Sequence, residues 1–353
     1  LLLLRLNSIE FDQDFLLLGL YNVPITGFDD VKDRGFNTVH LYHDTQSIDE
    51  AVLYLKEADR KGLKVIQNMP RDFLLSGDDF WINWVTTLSK YDSLLWWYLP
   101  EEPTLYGNSH DSFVRLYNII RQYDPQHRPI AIYFGIEGPF DEWCDVEDII
   151  MVGCYPEYSH EPRACVKRYI DAARETCPGK DLIGVPAFFD SRDFNVGGGV
   201  PNPQQARFDA YTSIIDGAWG LMWFAYQEGL HLTTLWDGIT NTSYELESLK
   251  PIILSPDVNK TVQVKIVKGP WQSPQTQSGY IYDSIQYIQK QYGDAGYLIT
   301  SNLANDTVLA EFTNIPSNIN KVEVLFENRS IPVKNGTFQD SFLESGVHVY
   351  RFS

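Results

Sequence analysis

Two adjacent carboxylic acids, Glu101 and Glu102, stand between prolines in the run WWYLPEEP at residues 96–103. Two carboxyl groups at one site can divide the work of hydrolysis, a protonated one serving the leaving atom and a second attacking or activating water. Three more acids close apolar segments elsewhere in the chain: Glu157, Asp190 and Glu228. Of these, Glu228 is the preferred second carboxyl, because WFAYQEG sets it among aromatic and amide groups. His43, Asn68, Trp97, Tyr155, Trp223 and Tyr226 also fall at or near segment ends and are candidate binding residues, joined there by Glu157 and Asp190. His40 and His43 flank Leu41 and Tyr42, so alternation turns one of the two histidines inward.

These residues need a frame, and the chain supplies eight apolar segments alternating with amphipathic stretches. The segments cover 15–23, 37–43, 63–70, 94–102, 128–135, 148–157, 181–189 and 220–228. Helical patterns lie between them at 47–62, 79–91, 112–123, 164–176 and 204–218. Ser47 followed by Glu50 forms a capping box, and Gly62 stops that helix. Strand–helix alternation of this kind specifies parallel strands, and eight units in about 250 residues predict a closed (β/α)8 TIM barrel. No GxGxxG follows the first segment, which removes the usual signature of a dinucleotide site. Active sites of such barrels form at the C-terminal ends of the strands, where the acids above are found.

After Pro256 the helical period stops and short strands follow, among them TVQVKIVKG, AGYLITSNL and GVHVYRF. The predicted organisation is a barrel over 1–256 and a small all-β sandwich over 257–353. Trp81 and Trp84 sit at helical spacing and read as core, and the run Gly197, Gly198 and Gly199 reads as a mobile loop near the mouth.

A formal charge of −19 argues against nucleic acid or an anionic membrane surface as partner. No apolar run reaches the length of a membrane-spanning helix. Cys144, Cys154, Cys165 and Cys177 show no metal-ligand spacing and are read either as one or two disulfides or as buried free thiols. With no HxH or HExxH motif, a metal-dependent hydrolase ranks third among the readings, and no cofactor is expected. The start LLLLRLNSIE suggests a processed terminus, and sequons at Asn241, Asn259, Asn305, Asn328 and Asn335 would permit glycosylation on a secretory route.

The ending LPEEP, with GFNTVHLY, GLKVIQNMP and the Tyr155–Pro156 pair, resembles the clan-A type glycoside hydrolases, as does the appended β-domain. Their fourth strand ends in Asn-Glu-Pro or Asp-Glu-Pro. The resemblance implies a carbohydrate substrate and makes Glu102 the general acid/base, with Glu101 in place of the Asn or Asp. It also implies a nucleophilic Glu at the end of the seventh strand, where this chain has VPAFFD with Ala187 and Phe188. Adjacent acids on strand four are also similar to those of hydrolases acting on N-acetylhexosamines, where the substrate's acetamido group is the nucleophile. The alternative is a carbohydrate-binding barrel that has lost catalysis. Trp97, Trp223 and Tyr226 are the expected floor on which sugar rings stack.

Overall fold

The computed structural model of the chain describes residues 14–42 and 46–353, which leaves the N-terminal run 1–13 and His43 outside it. Two compact units are formed. The first contains Leu1–Cys154, Tyr169–Phe189 and Gly220–Leu232, and the second contains Tyr155–Arg168, Asp190–Trp219 and Thr233–Ser353.

The first unit holds a closed barrel of eight parallel strands in sequential order: β1 (Leu17–Leu20), β2 (Thr38–His40), β3 (Lys64–Asn68), β4 (Leu94–Tyr98), β5 (Ile130–Phe134), β6 (Ile149–Val152), β7 (Asp181–Gly184) and β8 (Gly220–Trp223). Nearly every strand residue is buried. That follows from a parallel sheet covered on both faces, whose strands are apolar throughout instead of alternating. Register fixes which side chains point inward. Gly19 pairs with Thr38 and Met222, Ile66 with His40 and Trp96, and Asn68 with Tyr98. Tyr133 continues the same inward set through its pairing with Met151. Gly19 is required here, since a Cβ on it would lie 2.1 Å from the Met222 sulfur.

The helices in chain order are α1 (Phe28–Asp33), α2 (Ile48–Lys61), α3 (Asp78–Leu88), α4 (His110–Tyr123), α5 (Pro156–Ser159), α6 (Cys165–Thr176), α7 (Pro203–Ile215), α8 (Tyr226–Gly229) and α9 (Thr233–Ile253). Helix α2 carries the expected capping box, with Ser47 and Glu50 bonded reciprocally, and ends at Gly62 with φ +69°. Trp81 and Trp84 of α3 are buried, as their spacing requires. The 21-residue α9 has no counterpart among the helices read from periodicity. Its buried face includes Thr240, Thr242 and Ser243, whose hydroxyls bond back to carbonyls three or four residues earlier and so mask the apolar repeat.

Cysteine chemistry resolves in favour of oxidation. Cys144 and Cys177 form a disulfide with Cα atoms 5.7 Å apart, and no cysteine is a free thiol. The expectation of buried free thiols is therefore corrected.

In the second unit the all-β part comprises β9 (Gln263–Lys268), β10 (Ile285–Tyr292), β11 (Ala295–Asn302), β12 (Val308–Thr313), β13 (Lys321–Leu325), β14 (Arg329–Pro332), β15 (Phe338–Phe342) and β16 (Val347–Phe352). They build a five-stranded sheet, β10-β11-β16-β13-β14, and a three-stranded sheet, β15-β12-β9. One apolar core lies between inward faces, centred on Phe312, Phe338, Phe342 and Tyr350. The fold is a TIM barrel followed by a small sandwich. No helix among the described residues is long and apolar enough to cross a membrane.

Candidate active site at the barrel mouth

β4 ends at Tyr98, and Leu99-Pro100 carries the chain to the two acids. The amide of Glu102 donates to the Tyr133 carbonyl at 2.9 Å, which ties the loop to the end of β5. This tie holds Glu102 in the left-handed region with φ +46°, an arrangement that costs about 1–3 kcal/mol for a residue other than glycine. The turn sends the two neighbouring side chains to different surroundings.

Glu101 goes inward. It is 7% exposed and accepts hydrogen bonds from Tyr42 on Oε1 and from Tyr98 on Oε2, the latter at 3.1 Å. Tyr21 donates to the Tyr98 hydroxyl at 3.3 Å. Burial raises the Glu101 carboxyl to about 7, and Glu102 adds to the rise, while the two tyrosine hydroxyls and Arg71 oppose it. Glu102 is less buried. Its Oε1 accepts the Gly135 amide at 3.1 Å. Partial burial raises its carboxyl above the ordinary glutamate value, against the Gly135 amide and Arg71. Both acids thus hold protons more tightly than solvated glutamates do.

Arg71, just after β3, donates to the Glu101 carbonyl at 2.9 Å and stacks its guanidinium 3.5 Å from the centre of the Tyr106 ring. Below the acids lies an aromatic floor. Tyr21 packs edge-on against His40, Tyr42, Tyr98, Tyr133 and Phe224, with centroids 4.9 to 6.2 Å apart. His40 is fully buried, its Nδ1 bonded to the Ile66 carbonyl at 2.8 Å. It is the inward histidine of the pair, whereas His43 lies outside the described residues.

The expected residues divide. Asn68 shares the inward register of Tyr98 and reaches the site. Glu228, on α8 after β8, lies across the ring of strands from β4, and the Asn22 amide donates to its Oε1 at 2.7 Å. Trp97 does not reach the mouth. It has the opposite parity to Tyr98, is fully buried, and its indole donates to Asp124 at 2.8 Å. Trp223 is likewise outward and buried, packed edge-on against Phe36. Tyr226 donates to Asp30 at 2.9 Å and fills the space that a Cβ on Gly27 would need. The expected floor of Trp97, Trp223 and Tyr226 is therefore corrected to Tyr21, Tyr42, Tyr98, Tyr133 and Phe224.

Tyr155, Glu157 and Asp190 belong to the second unit. Tyr155 precedes α5, and Glu157 is ion-paired with Arg163, which also holds Asp209 at 2.6 Å. Asp190 accepts the Arg192 amide at 2.9 Å and its guanidinium at 2.6 Å. The glycine run is tied down, since Gly199 and Ser191 bond each other in both directions and a Cβ on Gly198 would lie 1.4 Å from the Glu157 carbonyl oxygen. It is a close-packing segment of the second unit, where a mobile loop was expected. Tyr21, Tyr42, Tyr98, Tyr133 and Arg71 are the site residues that sequence reasoning missed.

No family model and no curated protein matches the sequence. Solved structures match by fold. An α-amylase from Geobacillus thermoleovorans complexed with acarbose aligns with a TM-score of 0.61 over 97% of this chain and 98% of that one, at 10% identity. An α-galactosidase I from Mortierella vinacea aligns at 0.58 over 98% of each chain, at 12% identity. A GH30 endoxylanase from Clostridium papyrosolvens aligns at 0.52 over 96% of each, also at 12% identity. At such identities the likeness is one of fold, a barrel with an appended β-domain that glycoside hydrolases of several specificities share.

Proposed function

We propose that the chain is a glycoside hydrolase in which Glu102 protonates the leaving oxygen and Glu101 is the second working carboxyl. The observation that carries this reading is the pair itself: two adjacent acids at the end of β4, both with raised proton affinity, one beneath tyrosine hydroxyls and one more open. Neighbouring residues on one loop do not flank a bond from opposite faces, so Glu101 does not serve as a nucleophile opposite Glu102. Glu157 and Asp190 are each neutralised by an arginine, and Glu228 is held by Asn22. The arrangement suits a substrate that brings its own nucleophile, and the substrate class proposed is a glycan or glycoconjugate containing an N-acetylhexosamine.

In this mechanism the pair carries one proton. A sugar ring seated over Glu102 excludes water from it and draws the proton there. Glu102 passes that proton to the glycosidic oxygen as the C1–O bond breaks, and the acetamido oxygen attacks C1. Glu101, ionised and aimed by Tyr42 and Tyr98, takes the hydrogen bond of the acetamido N–H and balances the positive charge of the cyclised intermediate. Water then opens the ring, with the Glu102 carboxylate as base. Passage through an oxidising, secretory compartment is part of the proposal, supported by the Cys144–Cys177 disulfide and by the exposure of all five sequon asparagines.

The test is a panel of aryl N-acetylhexosaminides and parent hexosides with wild type and Glu102→Gln. The variant should lose activity on poor leaving groups by about 100-fold or more while keeping much of it on dinitrophenyl leaving groups, which need no proton. Full activity on every leaving group would remove Glu102 from the mechanism. Binding of these sugars without any hydrolysis by the wild type would favour the non-catalytic barrel.

A further inference from the structure

Among the residues of the barrel unit whose side-chain burial is described, one phenylalanine, tyrosine or tryptophan ring is exposed, and it belongs to the loop that carries the acids. Tyr106 is 53% exposed, while the aromatic rings of the floor are buried or partly buried. An open aromatic ring on a loose loop would be unremarkable, but this one is fixed. Its amide donates to the Glu102 carbonyl at 3.1 Å, which sets Tyr106 one helical turn beyond Glu102. One face of the ring is covered by the Arg71 guanidinium, which also holds the Glu101 carbonyl. The far side of the loop is pinned as well: the Trp143 indole donates to the Thr104 hydroxyl at 2.8 Å, that hydroxyl reaches Glu142, and the Asn108 amide closes on the Pro103 carbonyl. Ring and carboxyl pair therefore form one rigid piece, with Arg71 as the strut between them.

A general acid stands beside the oxygen that leaves, so the group attached to that oxygen must lie on the outer side of the acid. An aromatic ring held rigid and open to solvent one turn past Glu102 is suited to receive a flat, partly apolar face there at little cost in ordering entropy. Resting on the hydrolase reading above, we propose that Tyr106 is the stacking platform for the leaving group, and that the preferred substrate carries a further sugar ring on the glycosidic oxygen. The phenol hydroxyl has no part in this; the ring does.

The experiment compares Tyr106→Ala and Tyr106→Phe with wild type on N,N′-diacetylchitobiose and on the 1-fluoro N-acetylhexosamine, whose leaving group is too small to touch a platform and needs little protonation. Tyr106→Ala should lower kcat/KM on the disaccharide about tenfold, chiefly through KM, leave the fluoride within about twofold, and be rescued by Tyr106→Phe. Equal loss on both substrates would mean that the ring only braces Arg71 and the acids, and no loss on either would leave it no role; both overturn the platform. If the wild type hydrolyses neither compound, calorimetric titration of the Glu102→Gln chain with the disaccharide separates the two ideas. Binding that Tyr106→Ala weakens keeps the platform while the hydrolase reading fails, and binding that is absent or indifferent to Tyr106 overturns the platform.

Discussion

The Tyr98 hydroxyl donates to Glu101 Oε2 at 3.1 Å, so a residue of the barrel interior favours the ionised form of the more buried acid. A hydrogen bond to the ionised form lowers a carboxyl's proton affinity, and here it opposes a larger rise due to burial that brings Glu101 to about 7. If the working pair carries one proton, activity falls as pH rises through the ionisation of Glu101. Tyr98→Phe removes an opposing donor, so the alkaline limb of kcat/KM should move to higher pH, and Tyr42→Phe should act in the same direction. A limb that stays in place or moves down would separate Glu101 from the activity.

Gly135 is the small residue on which Glu102 depends. A Cβ there would lie 2.7 Å from Glu102 Oε1 and 2.8 Å from the Tyr133 hydroxyl. Gly135→Ala must therefore push the acid off its backbone donor or displace the tyrosine. Steady-state rates should fall by about 10- to 100-fold, because a misplacement near 1 Å is costly in a positioned acid. Thermal unfolding should change little, since both displaced groups can move toward the open mouth. Unchanged kinetics would show that the Gly135 amide does not position Glu102.

How much of this was legible in the chain depends on which physical signal each residue carried. The barrel was readable because eight continuous apolar segments with helical spacers admit few other folds. The acids were readable because Pro100 and Pro103 fix a strand end. Parity was not. In WWYL both faces of the strand are buried, so no polar alternation says whether Trp97 or Tyr98 points inward. The answer lies in the register with β3 and β5 and in Asp124, which accepts the Trp97 indole from 27 residues away. Tyr21 and Tyr42 were hidden for a different reason, since each lies just beyond its strand and aims at Glu101 or its partner only once the barrel closes. A Trp97→Phe substitution should accordingly lower stability, by leaving Asp124 short of a donor, and leave KM unchanged.

Cys144 and Cys177 are joined across a sequence separation of 33 residues, within the barrel unit. A crosslink spanning a loop of that length restricts the unfolded chain by about 3–4 kcal/mol. Denaturant unfolding of wild type and of a variant with Cys144 and Cys177 both replaced by alanine should show a loss of that order. Coincident curves would mean that the bond adds nothing to the folded state.

Glu147 precedes β6, is fully buried, and has both carboxyl oxygens without a hydrogen-bond partner. Burial raises its proton affinity well above that of an ordinary glutamate; Lys180 opposes the rise, and Asp148 and Asp145 add to it. The sign of the linkage follows. Between the ordinary glutamate value and the raised one, the folded chain binds the proton and the unfolded chain has released it, so unfolding gains favour as pH rises. The group alone withdraws up to about 1.4 kcal/mol for each pH unit across that interval. Glu147→Gln keeps the shape, removes the ionisation, and should make the chain more stable at neutral pH while matching wild type near pH 4. Melting temperatures of both proteins from pH 4 to 8 provide the check: two curves that diverge upward from the acid end are expected, and parallel curves would mean that Glu147 is already ionised in the fold.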